Sequence, residues 1–149
     1  MESHRVSHSL VKALRAVPDF ADLDDATLLR IVGASTNLFY PAGGVVFEPG
    51  SPAEALYVVL SGEVRIFDRE HGNEVEISRV GSGGSFGEFS MLMGTEHSKT
   101  AQAVQDTELM VIPRESFRQV LADAPELDAK FQRRLQERLP VRGQVSESA

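Results

Sequence analysis

The chain has 149 residues, 42% of them apolar and 25% charged, which is the size of one ordinary domain and enough to bury a sizeable core. A formal net charge of −7 makes the molecule as a whole repel nucleic acid and anionic lipid, so an anionic ligand has to be held locally. Cysteine is absent, which excludes a disulfide framework, a thiolate nucleophile and a zinc–thiolate site.

Met1 to Ser9 is polar, carries His4 and His8 and has no apolar period, so residues 1–9 are expected to form a loosely ordered tail. Neither this opening nor any later stretch has an apolar run of signal-peptide or membrane-span length, and the expected localisation is cytoplasmic. Leu10, Val11, Leu14 and Val17 recur at helical spacing and stop before Pro18, which predicts a short helix. Asp22 to Asp25 offers capping side chains ahead of a second helix, Ala26 to Ala34, whose apolar face is Leu28, Leu29, Ile31 and Val32.

From Asn37 the period changes to that of strands. Leu38 to Tyr40, Val45 to Glu48, Ala55 to Leu60, Glu63 to Asp68, Glu74 to Val80, Gln102 to Gln105 and Leu109 to Ile112 are separated by turn residues. The hairpin tip is Arg69 to Asn73, where Gly72–Asn73 is expected to take positive φ. Seven or eight short strands in so short a span predict a jelly roll. Pro113 to Ala122 then reads as a helix with Phe117, Val120 and Leu121 on one face. After Pro125, a last helix places Leu127, Phe131, Leu135 and Leu139 at i, i+4 spacing. Residues 140–149 are expected to be a second flexible tail, leaving 10–139 as the folded domain.

One stretch, Gly81 to Ala101, has a layout suited to an anion. Gly81, Gly83, Gly84 and Gly87 allow close backbone approach, and Gly87-Glu88-Phe89 opens a short helix, Glu88 to Met93, whose first N–H groups lack partners within the helix. A basic residue, Lys99, follows about ten positions later. An acid in a first helical turn is also favoured by the helix dipole with nothing bound, so Glu88 has a capping alternative. Gly87, Phe89 and Ser90 likewise have the plain alternative of a tight strand-to-helix turn.

Phe86-Gly87-Glu88-Phe89-Ser90-Met91-Leu92, followed by Lys99-Thr100-Ala101, resembles the phosphate-binding cassette of cyclic-nucleotide-binding domains, F-G-E-x-x-L then R-[S/T/A]-A. Leu38-Phe-Tyr-Pro-Ala-Gly-Gly44 and Phe47-Glu-Pro-Gly through Gly62-Glu-Val64 are similar to two further motifs of that family. The resemblance spans roughly Val17 to Leu139. It implies a mainly β fold: an eight-stranded jelly roll with N-terminal helices, a short cassette helix and two C-terminal helices. It also implies a ligand, a cyclic nucleotide monophosphate, with Gly87, Glu88, Phe89, Ser90, Lys99, Thr100 and Ala101 as the binding residues. In the family the Glu accepts from the ribose 2′-hydroxyl, and backbone amides with the Arg hold the phosphate. Cyclic AMP and cyclic GMP both remain open.

This chain departs from the pattern at Lys99, which stands where the family has Arg, and in the preceding loop, Gly94 to Ser98, which is about one residue longer than in the bacterial catabolite-activator version. Arg binds two phosphate oxygens at once, whereas Lys is a single hydrated point charge. Losing one charge-assisted hydrogen bond removes about 1.5–3 kcal/mol, roughly tenfold to a hundredfold in affinity. Two alternatives follow: a weakened phosphate contact, or a Lys99 turned to solvent above a pocket that holds no nucleotide. His97 and Glu96 lie in the lengthened loop, and His97 is expected to be solvated. Val64, Ile66, Val75, Ile77 and Met91 are expected to include the apolar wall against the purine.

Three function classes are therefore carried. The first is a non-enzymatic cyclic-nucleotide sensor that signals through its C-terminal helices to an unknown effector protein. The second is a degenerate roll that binds no nucleotide and serves as a protein-interaction module. The third, a metal enzyme on a similar roll, requires clustered histidines, and His4, His8, His71 and His97 are scattered. With no winged helix read in the sequence and an acidic balance, the chain alone is not expected to bind DNA or membrane. The last helix is short for a dimer zipper, so a monomer or weak dimer is expected.

Overall fold

The computed structural model describes residues 2–138. Helix α1 (Glu2–Arg15) has Lys12 and Arg15 in its last turn, where positive charge complements the helix dipole. The polar stretch expected as a loose tail up to Ser9 is thus a continuation of the first helix back to Glu2. The other expected tail, residues 140–149, lies outside the described residues. A 3-10 turn (Pro18–Phe20) leads to α2 (Asp25–Ala34), which begins where Asp24 accepts from the Thr27 backbone N–H at 2.8 Å.

Eight strands follow: β1 (Thr36–Tyr40), β2 (Val45–Phe47), β3 (Ala55–Ser61), β4 (Glu63–Glu70), β5 (Asn73–Gly81), β6 (Ser85–Phe86), β7 (Thr100–Ala103) and β8 (Thr107–Pro113). They form two four-stranded antiparallel sheets, ordered β1-β8-β3-β6 and β2-β7-β4-β5. This is the expected eight-stranded roll. The β4–β5 hairpin turns through His71 (φ 52°) and Gly72 (φ 81°), one residue earlier than expected, because Asn73 already pairs with Glu70. Helix α3 (Glu88–Met93) interrupts the roll between β6 and β7, and α4 (Arg114–Asp123) and α5 (Pro125–Arg138) close the chain.

Strands β3 and β8 are apolar on both faces because they separate two cores. Leu56, Val58, Met110 and Ile112 face a cluster built with Leu14, Phe20, Leu28, Ile31 and residues of α4 and α5. Val59 and Leu109 face the roll interior with Val64, Phe86 and Ala101, flanked by Tyr57 and Val111. A strand buried on both sides loses the alternating pattern and reads as a continuous apolar run, as Ala55 to Leu60 does. In the helical core Phe20, Phe117 and Phe131 are fully buried, with Phe131 edge-on to Phe117 at 5.2 Å between centroids and stacked on Phe20 at 6.5 Å. Leu127, Phe131 and Leu135 of α5 are all buried, Leu127 and Phe131 among the helices outside the roll.

Candidate functional site

The glycine run after β5 divides into two roles. Gly81 to Gly84 forms a turn fastened to β3: the Gly83 N–H donates to Val59 O, the Val59 N–H donates to Gly84 O, and the Gly84 N–H donates to Gly81 O. Its glycines therefore serve the chain reversal. Gly87 is the one that shapes the site. It caps α3 in the left-handed conformation (φ 82°, ψ 4°), and a Cβ there would lie 3.0 Å from the Tyr57 ring. Any side chain would be strained in backbone and crowded at once.

Helix α3 is fixed from beneath and from its far end. Met91 is fully buried in the helical core, and the Arg114 Nε donates to Met91 O at 2.8 Å. Glu88, Phe89 and Ser90 are half-buried on the first turn. The Met91 burial corrects the expected purine wall, since this side chain packs with the helices. Val64 and Ile66 do line the roll interior, while Val75 and Ile77 are exposed on the edge strand β5.

The lengthened loop is fastened by backbone bonds, and although Thr95, Glu96 and Ser98 are exposed, His97 is not solvated as expected. The Ala53 N–H donates to Thr95 O, the His97 N–H to Ser51 O at 2.9 Å, and the Gly50 N–H to His97 O at 2.8 Å. The loop thus lies along the β2–β3 connection. The His97 side chain is buried, only 4% exposed, and its ring stacks on Phe47 at 3.5 Å between centroids. Phe47 in turn touches Tyr57 and Phe86. Burial pushes the His97 pKa down, and its buried Nε2 makes no hydrogen bond. The sequence treated His97 as a polar loop residue because the aromatic shelf that receives it comes from β2, β3 and β6.

Beyond that loop, the Lys99 side chain is only 12% exposed, with Nζ 3.9 Å from the Asp68 carboxylate of β4. Thr100 and Ala101 are buried in β7, opposite Phe67 and Ile66. Lys99 is therefore not turned to solvent. An ammonium withdrawn from water is costly unless anions compensate it, and such a group is suited to an anionic ligand.

Glu88 has a partner that the sequence did not reveal. Arg134 of α5 donates from Nη1 to Glu88 Oε2 at 3.2 Å and grips Asp19 of the 3-10 turn with both Nη1, at 2.6 Å, and Nη2. Hydrogen bonding to Asp19, then the charges of Glu88 and Asp19, hold the guanidinium firmly protonated against partial desolvation. Arg134 reads in the sequence as one of several cations on the polar side of α5. Its two acids are 115 and 46 residues away, and no local pattern links them.

A family profile described as the cyclic nucleotide-binding domain matches residues 37–124. The chain is 41% identical over 104 residues to the cyclic AMP receptor protein of Thermus thermophilus, covering 66% of this chain and 48% of that protein. It is 35% identical over 113 residues to a lysophospholipase NTE1 of Chaetomium globosum, covering 75% of this chain but 7% of that enzyme. The chain thus spans less than half the length of these curated relatives. Among solved structures, the sensor domain of the transcriptional regulator DNR from Pseudomonas aeruginosa superposes with a TM-score of 0.81 at 29% identity, over 93% of this chain and 92% of that one.

Proposed function

We propose that this chain, which belongs to the cyclic nucleotide-binding domain family, takes up a cyclic nucleotide monophosphate, cyclic AMP or cyclic GMP, and reports its presence through α4 and α5. The observation that carries this role is the withdrawn ammonium of Lys99, held beside Asp68 at the end of a loop fastened by backbone bonds. The ligand phosphate meets Lys99 and the backbone amides at Gly87 to Ser90, with Thr100 and Ala101 closing the far side. The ribose 2′-hydroxyl donates to Glu88. The purine lies along the apolar interior near Val64 and Ile66.

Recognition here requires no bond to be made or broken in the nucleotide, and the domain acts as a regulatory module. The effector it instructs is a separate protein surface or another part of a longer polypeptide, as the relatives' greater lengths illustrate. Leu127, Phe131 and Leu135 of α5 are buried within the chain, which favours a monomer or weak dimer. With a net charge of −7, nucleic acid and anionic membrane are poor partners for this domain.

A nucleotide-free interaction module is the competing role, and the feature that favours it is the internal cation already on Glu88. Calorimetric titration with cyclic AMP and cyclic GMP separates the two. Saturable heat from at least one nucleotide, lost or weakened at least tenfold in Glu88→Ala, is the expected outcome. Absence of heat from either nucleotide would leave the interaction module as the function.

A further inference from the structure

We infer that His97 makes nucleotide uptake proton-coupled, its buried ring nitrogen Nε2 finding in the cyclic phosphate the acceptor that the chain itself does not supply. This rests on the proposed nucleotide-binding role and adds to it a residue that the role did not use. Among the described residues, Nε2 of His97 is the buried side-chain polar atom left without a hydrogen bond. The side chain is 4% exposed, and the backbone is held on both sides: its N–H donates to Ser51 O and its carbonyl accepts from the Gly50 N–H. A bridge between Pro52 and Glu96 fixes the residue before it. A polar atom kept out of water in so firmly held a segment costs stability until something pairs with it.

The ring sits where the two halves of the cassette come together. It stacks on Phe47 at an interplanar angle of 3°. Phe47 is the register partner of Ala101, at the Lys99 end of the cassette. It also touches Phe86, the residue before Gly87, and Tyr57, whose ring Gly87 closely approaches. A phosphate held between these two ends has the imidazole for a neighbour. Without an anion beside it, burial holds the ring neutral by pushing its pKa down. A phosphate reverses that balance, because the imidazolium then donates a charge-assisted hydrogen bond from Nε2. The proton comes from solvent and returns to it when the nucleotide leaves. The ionisable groups on the elements packed against the ring are Glu48 and Glu54 of the β2–β3 connection and Tyr57 of β3. Its own segment adds Glu96 and Lys99, with Asp68 beside Lys99. The three glutamates are exposed and burial raises the Tyr57 phenol, whereas histidine is the side chain whose ordinary titration falls between pH 8 and 6.

The test is calorimetric titration with cyclic AMP and cyclic GMP at pH 8, 7 and 6, each in two buffers of different ionisation enthalpy, for the unaltered chain, His97→Phe and His97→Gln. The cyclic phosphodiester keeps its single charge throughout this range, so it is not a source of pH dependence. The unaltered chain is expected to bind about tenfold more tightly at pH 6 than at pH 8, with a buffer-dependent heat that reports proton uptake. His97→Phe, which keeps a ring on Phe47, and His97→Gln, which keeps a neutral donor, are both expected to bind with little dependence on pH and without that uptake. If neither variant folds, the ring proton resonances of His97 in the unaltered chain serve instead, and saturating nucleotide is expected to move their titration to higher pH. Affinity that is flat with pH, or a pH dependence retained in both variants, would overturn the role of His97 while leaving nucleotide binding intact. An unaltered chain that binds neither nucleotide at any of these pH values would overturn the proposed function and this inference with it.

Discussion

Lys99 and His97 show how far single residues were legible. The sequence identified Lys99 as the departure from the family pattern but left its direction open; the structure withdraws it from solvent beside Asp68. Replacing it by Arg supplies a fork for two phosphate oxygens, and Lys99→Arg is expected to bind cyclic nucleotide about tenfold to a hundredfold more tightly in calorimetry. His97 was misplaced because a histidine in a polar loop carries no mark of burial, and only its stack on Phe47 reveals it. Its lowered pKa sets the sign of a pH effect. The unfolded chain binds a proton near the ordinary value of 6.5 while the folded chain resists it, so the unfolded state holds more protons as pH falls below that value. Stability is therefore fully present above about pH 6.5 and declines on acidification. Denaturant unfolding at pH 7.5 and 5.5 is expected to show a smaller acid loss in His97→Phe than in the unaltered chain. An equal loss in both would assign the acid sensitivity to other groups.

At the scale of elements, most strands were readable where turn residues bracketed them, but β7 lies at Thr100–Ala103, two residues before the expected Gln102 to Gln105, while α3 was placed over Glu88 to Met93 as observed. Strand β6 was not delimited, since two residues, Ser85–Phe86, are too few to show a period, and their pairing comes from Tyr57 and Val58. The first helix was cut short at Leu10 because its earlier residues lack an apolar stripe. Helix α5 was recognised by its apolar spacing, but not its surface of contact. Spacing reports that a face is buried and is silent about which neighbour buries it. Phe131 is fully buried between Phe20 and Phe117, so it fastens α5 to both α4 and the 3-10 turn. Phe131→Ala is expected to destabilise the fold by about 3–5 kcal/mol in urea unfolding. A loss below about 1 kcal/mol would mean that α5 is loosely attached and does not share the helical core.

For the whole molecule, the decisive arrangement is two cores on opposite faces of one sheet. The roll interior, with Phe86 and Ala101, abuts the cassette, while the helical core holds Met91 of α3 together with Phe117 and Phe131. Helix α3 thus belongs to the helical core by Met91 and to the candidate site by Glu88, which is how a ligand at one core can be felt at the other. The sequence supplied the cassette through local motif and spacing. It was blind to the Asp19–Arg134–Glu88 junction, which exists only after the chain ends of the domain are brought together. The most direct test of the cassette as a phosphate site is a titration of the isotopically labelled chain with cyclic AMP and cyclic GMP, followed by amide proton–nitrogen spectra. Nucleotide-dependent shifts concentrated at Gly87 to Ser90 and Lys99 to Ala101, with smaller ones along α5, are the predicted result. Spectra unmoved by either nucleotide, or shifts confined to residues outside this segment, would contradict it.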